Sequence, residues 1–153
     1  MAAALLGTLP MPVSGSEAVG QCEKEFLASS FEPITSISDV DPAVLRVVTS
    51  RFRSGELALA DVGEAFQRTD VVVFRRLPSR RLMVAGKTTG HWFVAYEHGG
   101  RGYHHALVVV SVERDGPRIC YFARGWADPN LEALKNAVRQ GKLKPDDVDS
   151  EYY

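Results

Sequence analysis

The stretch WFVAYEHGGRGYHHALVVVSV, Trp92 to Val112, decides how the chain is read. Two runs rich in aromatic and β-branched residues flank a glycine-rich centre, which is the pattern of a β-hairpin. In the second run Ala106, Val108 and Val110 point one way while Leu107 and Val109 point the other, so both faces are apolar. A strand with one face in water alternates with polar residues. The hairpin therefore belongs at the centre of a sheet covered on both sides. Gly99, Gly100 and Gly102 supply the positive φ angles of a short loop. With Gly99–Gly102 as that loop, His98 faces Tyr103, Glu97 faces His104 and Tyr96 faces His105. Opposed side chains share a face, so Glu97 sits beside His104, with Tyr96, His105 and His98 on the other side. A carboxylate beside an imidazole is the arrangement of general-base catalysis. A polar rim at the strand ends is the plainer reading of the same residues. A three-histidine metal site is conceivable, but the side chains divide between two faces and are poorly placed to converge, so no metal is expected; no motif for another cofactor is present, and none is expected.

Working outward, further strands are expected over Val71–Phe74, Leu82–Ala85 and Ile119–Phe122, with Arg114-Asp115-Gly116-Pro117 as a turn. Together with the hairpin they make an antiparallel meander of about five strands. Two or three helices pack with it, giving an α+β fold. Glu23–Ser29 makes a short helix with Phe26 and Leu27 inward. Asp41 caps a second whose first turn holds Pro42 and whose stripe is Leu45, Val48 and Phe52, with Gly55 as the stop. Asp128-Pro129 opens a third carrying Leu131, Leu134 and Val138, ended by Gly141. The segment Leu57–Gln67 stays open, a further helical turn being one option. The tail from Lys142 is polar and acidic and is expected to be loosely held. Its Asp146, Asp147 and Asp149 lack the spacing of a calcium loop.

A chain of 153 residues is long enough for one domain with a genuine core. Eighteen basic against nineteen acidic side chains leave a net charge of −1, which disfavours a nucleic-acid partner. No apolar run reaches the roughly 18 residues of a membrane span. Residues 1–21 carry a small apolar run and then Pro, Ser and Gly, without a basic leading segment. They read as a flexible extension or a remnant export signal ahead of a domain over 22–153. That places the protein in the periplasm or outside the cell, where Cys22 and Cys120 would pair. If residues 1–21 are not a signal, the location is cytoplasmic. The loop RRLPSRR offers Arg75, Arg76, Arg80 and Arg81 to phosphate or to an acidic protein surface, or serves as a solvated edge. With Glu97, His98, Arg101, Tyr103 and His104 these arginines form the candidate binding rim.

Two resemblances bear on function. The segment Trp92 to His104, read with Phe31-Glu32-Pro33-Ile34, is similar to a stretch shared by small uncharacterised bacterial proteins, many carrying export signals. It implies an envelope-facing protein and no particular activity. Val19-Gly20-Gln21-Cys22, Thr69 to Phe74 and Tyr103 to Val108 together resemble CHAP-type cysteine amidases and peptidases. That resemblance implies Cys22 as nucleophile with His104 or His105 as base. The chain departs from the family in having Glu23-Lys24-Glu25 after the cysteine and no evident orienting acid. The expectation is a small exported binding or inhibitor protein, immunity-like, that meets a toxin or hydrolase in the envelope without a catalytic centre. A cysteine hydrolase and a structural or ligand-sensing envelope domain are the alternatives.

Overall fold

A computed structural model describes residues 15–52, 59–69, 77–100 and 102–146. The expected strand Val71–Phe74, the stop at Gly55, the side chains of Arg75, Arg76 and Arg101, and the tail beyond Asp146 lie outside these segments. The described strands are β1 (Glu32–Ile34), β2 (Leu59–Ala60), β3 (Arg80–Lys87), β4 (His91–His98), β5 (His104–Glu113), β6 (Gly116–Gly125) and β7 (Leu143–Pro145). They form one sheet in the order β1-β3-β4-β5-β6-β7, with neighbours antiparallel; β2 adds to β3 in parallel. The fold is α+β, and β4–β5 holds the centre.

Helices α1 (Gly15–Ala28) and α3 (Leu131–Arg139) cover one face and α2 (Pro42–Thr49) the other. On the α1/α3 side Cys22, Phe26, Leu134 and Val138 pack on Phe93, Ala95, Leu107, Val109 and Tyr121. Phe26, Phe31 and Phe93 meet edge-on or tilted, with ring centroids 4.9–5.8 Å apart. On the α2 side Val44, Val48 and Phe52 pack on Leu82, Val94, Tyr96, Ala106, Val108 and Val110. This double cover is why the central strands lack polar alternation.

Two bulges adjust the alternation. Met83 has no partner between Leu82↔Tyr96 and Val84↔Ala95, and Cys120 has none between Val110↔Ile119 and Val109↔Tyr121. Each extra residue turns two consecutive side chains to the α1/α3 face: Met83 with Val84, and Cys120 with Tyr121.

The helix ends follow their caps. The Asp41 carboxylate accepts from the Ala43 amide at 2.7 Å, with Pro42 in the first turn. The cap of α3 is Asn130, accepting from the Ala133 amide at 2.8 Å, two residues beyond the expected Asp128. Helix α1 begins at Gly15, ahead of the expected Glu23, yet its buried residues are Cys22 and Phe26. Within Leu57–Gln67 the described part is β2 and a loop, not a helical turn. The tail corrects a further expectation. Leu143 is 1% exposed in β7, and Asp146 pairs with Arg124 on β6, so the chain stays docked to Asp146.

Candidate functional site

The end of the central hairpin is set by one register. His98 pairs with His104, Glu97 with His105 and Tyr96 with Ala106, one residue away from the expected pairing. The loop between the strands is Gly99 to Tyr103, longer by a residue than expected. Gly100 and Gly102 have the positive φ angles, 92° and 80°, and Gly99 does not. Gly99 is needed for a different reason. A Cβ there would lie 1.8 Å from the Gln67 carbonyl oxygen, because the segment 64–69 crosses directly over the hairpin end. Backbone hydrogen bonds hold the crossing: the Gln67 amide donates to the Pro78 carbonyl at 2.7 Å, and the Gly100 amide to the Arg68 carbonyl at 3.1 Å.

The shift overturns the Glu97–His104 pair. Glu97 lies on the α1/α3 side with Tyr103 and His105, while His104 lies with His98 and Tyr96 on the α2 side. Glu97 is 7% exposed, and its carboxylate is doubly bound. Arg81 Nε donates to Oε1 at 2.6 Å, and the Tyr103 hydroxyl donates to Oε2. The Tyr103 oxygen is 3.3 Å from His105 Nε2. His105 Nδ1 lies 3.2 Å from the Ala127 amide and 2.7 Å from its carbonyl. The tautomer protonated on Nε2 accepts from that amide and passes a directed chain through Tyr103 to Glu97. The Nδ1-protonated tautomer donates to the carbonyl instead.

Electrostatics quiets these groups. Burial lowers the pKa of His105 against the opposing pull of the Ala127 contact and Glu97, so the ring is neutral near pH 7. Burial, then Glu97, raises that of Tyr103. A phenol held as a donor with a raised pKa is a poor base or nucleophile at neutral pH. Both groups are thus held neutral by burial and tied by hydrogen bonds.

What they hold in place is Trp126, 57% exposed just beyond β6. Its ring lies 5.4 Å from that of Tyr103 and 5.2 Å from that of His105. The Arg68 guanidinium lies over the Tyr103 ring, 5.2 Å from its centroid. Gly125 fixes the backbone here: a Cβ would lie 1.8 Å from the Lys142 carbonyl oxygen, so no other residue fits the crossing before Trp126. Beside the indole a groove of about 520 Å³ runs to α3, with Asp128, Asn136, Gln140 and Lys142 on its walls and Ala133 and Ala137 among its lining.

The other expected rim residues go elsewhere. His98 and His104 meet edge-on at 5.0 Å. Burial, then the charges of Arg80, His104 and Arg124, push the pKa of His98 down to about 4. His104 Nδ1 lies 2.8 Å from the Gly102 carbonyl, and among the described residues its buried Nε2 has no partner. Arg80 is 6% exposed, stacked 4.0 Å from the Phe52 ring centroid, so it is neither on a loop nor on a solvated edge. Trp126 and Arg68 escaped the sequence reading. The signal for Trp126 was a lone aromatic between Gly125 and Asp128-Pro129, outside any apolar period.

Cys22 and Cys120 form the expected disulfide, with Cα atoms 5.8 Å apart. Cys120 lies against Val109–Val110, roughly 15 Å along β5 from His105 at about 3.3 Å per residue. The histidine beside the two sulfurs is His91. Comparison of the chain with protein-family models, with curated proteins and with solved structures found no match.

Proposed function

We propose that this chain is a non-catalytic binding protein, exported and immunity-like or inhibitory, that captures a protein partner at the Trp126 edge. The observation that carries the reading is a large aromatic side chain left 57% exposed on a fully bonded support. Trp, Tyr and Arg dominate the energetics of protein interfaces, and a rigid anchor loses little entropy on binding. Trp126, Tyr103 and Arg68 supply those three types in one patch. The groove beside them suits an extended polypeptide segment. Asn136 and Gln140 each offer a donor and an acceptor to a backbone, and Asp128 and Lys142 offer one charge of each sign. The disulfide favours an oxidising compartment such as the periplasm or the exterior. Cys22 in that bond carries no thiolate, which weighs against the cysteine-hydrolase alternative.

The test is affinity capture from an envelope extract of the source organism, run in parallel on wild type and Trp126→Ala. The expected result is a partner retained by wild type and lost by the variant about 30-fold, the scale of a 2 kcal/mol hot spot, at unchanged melting temperature. Equal retention of every captured protein by Trp126→Ala would overturn the reading.

A further inference from the structure

We propose that Cys22, Cys120 and His91 form a binding site for one Zn2+ when the disulfide is reduced, with Glu25 positioning the histidine. The inference does not depend on the partner reading above. One ligand atom from each of the three residues lies within 4.8 Å of the other two. Tetrahedral zinc with bonds of about 2.0–2.3 Å separates its ligand atoms by roughly 3.3–3.8 Å. That geometry asks the two sulfurs to part on reduction and the other ligand pairs to close by at most about 1 Å.

Each ligand is placed by a different element. Cys22 comes from α1, His91 from the first position of β4, and Cys120 from the bulge of β6. Glu25 stands three residues after Cys22 and so shares its side of α1. Its Oε2 is 3.0 Å from His91 Nε2. The proposed ligand atom is therefore Nδ1, and a carboxylate on the other nitrogen of a liganding histidine fixes the ring's orientation and raises its basicity. Cys22 is 3% exposed, whereas the side chains of His91 and Glu25 are 20% and 40% exposed, so an ion approaches from the histidine side.

The chemistry balances with a thiol as reductant. Two monothiols, or one dithiol, deliver two electrons to the S–S bond, giving two protein thiols and one small-molecule disulfide. Zinc then displaces the two thiol protons, and both cysteines bind as thiolates beside neutral His91. A water from the exposed histidine side takes the fourth position, and the site so formed is uncharged, two thiolates balancing the dication. Either state joins α1 to the β6 bulge, so the molecule keeps this cross-link in oxidising and in reducing surroundings.

The experiment uses the full chain, reduced with a phosphine and titrated with Zn2+ against a chromophoric chelator. The expected result is one equivalent bound, two protons released per ion, and a higher melting temperature for the zinc-bound than for the metal-free reduced chain. His91→Ala should weaken binding at least 10-fold, and Glu25→Gln roughly 10-fold, within the range of outer-shell substitutions. If reduction unfolds the chain, zinc should restore the folded circular dichroism of wild type and not of His91→Ala. No stoichiometric binding, failure of excess zinc to refold an unfolded reduced chain, or binding unchanged in His91→Ala would each overturn the site.

Discussion

Tyr103 supports Trp126 with its ring and Glu97 with its hydroxyl, and substitution separates the two roles. Tyr103→Phe keeps the ring contacts and removes one of two bonds to a carboxylate that is 7% exposed. The expected loss of stability is about 1.5 kcal/mol, the scale of a hydrogen bond to a charged group, read by urea unfolding. An unchanged midpoint would mean that water replaces the hydroxyl at no cost. His98 carries a prediction about pH. Its folded pKa is about 4 against 6.5 for the free side chain, so between these values the unfolded chain binds more protons. The neutral ring's contribution is therefore complete above pH 6.5 and lost as pH falls towards 4. Discounted for partial solvent exposure, the loss is roughly 1–2 kcal/mol. Urea midpoints measured from pH 7 down to 4.5 should fall more steeply in wild type than in His98→Gln; parallel curves would refute the assignment.

The hairpin β4–β5 marks how far an element can be read from its residues. Its existence, its antiparallel sense and its central place followed from two apolar runs around glycines. Its register did not, for a physical reason. When both faces of a strand are apolar, sliding by one residue still pairs apolar with apolar, and the pattern loses its power to choose. The loop chose instead, and what shapes the loop is the segment 64–69 lying across it, a contact distant in sequence. The short strands β1, β2 and β7 were illegible for another reason, since two or three residues carry no period. Gly99 reports on this contact directly. Gly99→Ala places a methyl against the Gln67 backbone, where neither side can yield by rotating a side chain. The expected cost is about 2–3 kcal/mol, at the upper end of overpacking, with faster amide exchange at Gln67 and Gly100. Gly90→Ala is the control: it meets open space and should change stability by less than about 0.5 kcal/mol. Equal effects at the two glycines would show that the crossing does not constrain the hairpin.

At the scale of the whole molecule, the cysteine pair was legible where the site was not. An even count in a chain read as exported predicted the bond, whereas Trp126 acquires its meaning from Tyr103 and His105, which the fold brings to it. The same bond joins the chain's first described helix to a strand near its other end, across 98 residues of sequence. Without it, α1 keeps the packing of Phe26 against Phe31 and Phe93 and the 3.0 Å contact of Glu25 with His91 on β4. In the chain-entropy account, opening a loop of that length returns about 4–5 kcal/mol of freedom to the unfolded state. That is a large share of the roughly 5–15 kcal/mol by which a domain of this class is stable. The double variant Cys22→Ser, Cys120→Ser should therefore lose about 4 kcal/mol in urea unfolding under a metal chelator, with wild type left oxidised. Amides of α1 should then exchange faster than those of β4 and β5, because the tie is removed from the helix and the sheet keeps its own ladder. A loss below about 1 kcal/mol would mean that the other contacts of α1 suffice to dock it and that the unfolded chain is already compact enough for the bond to constrain little.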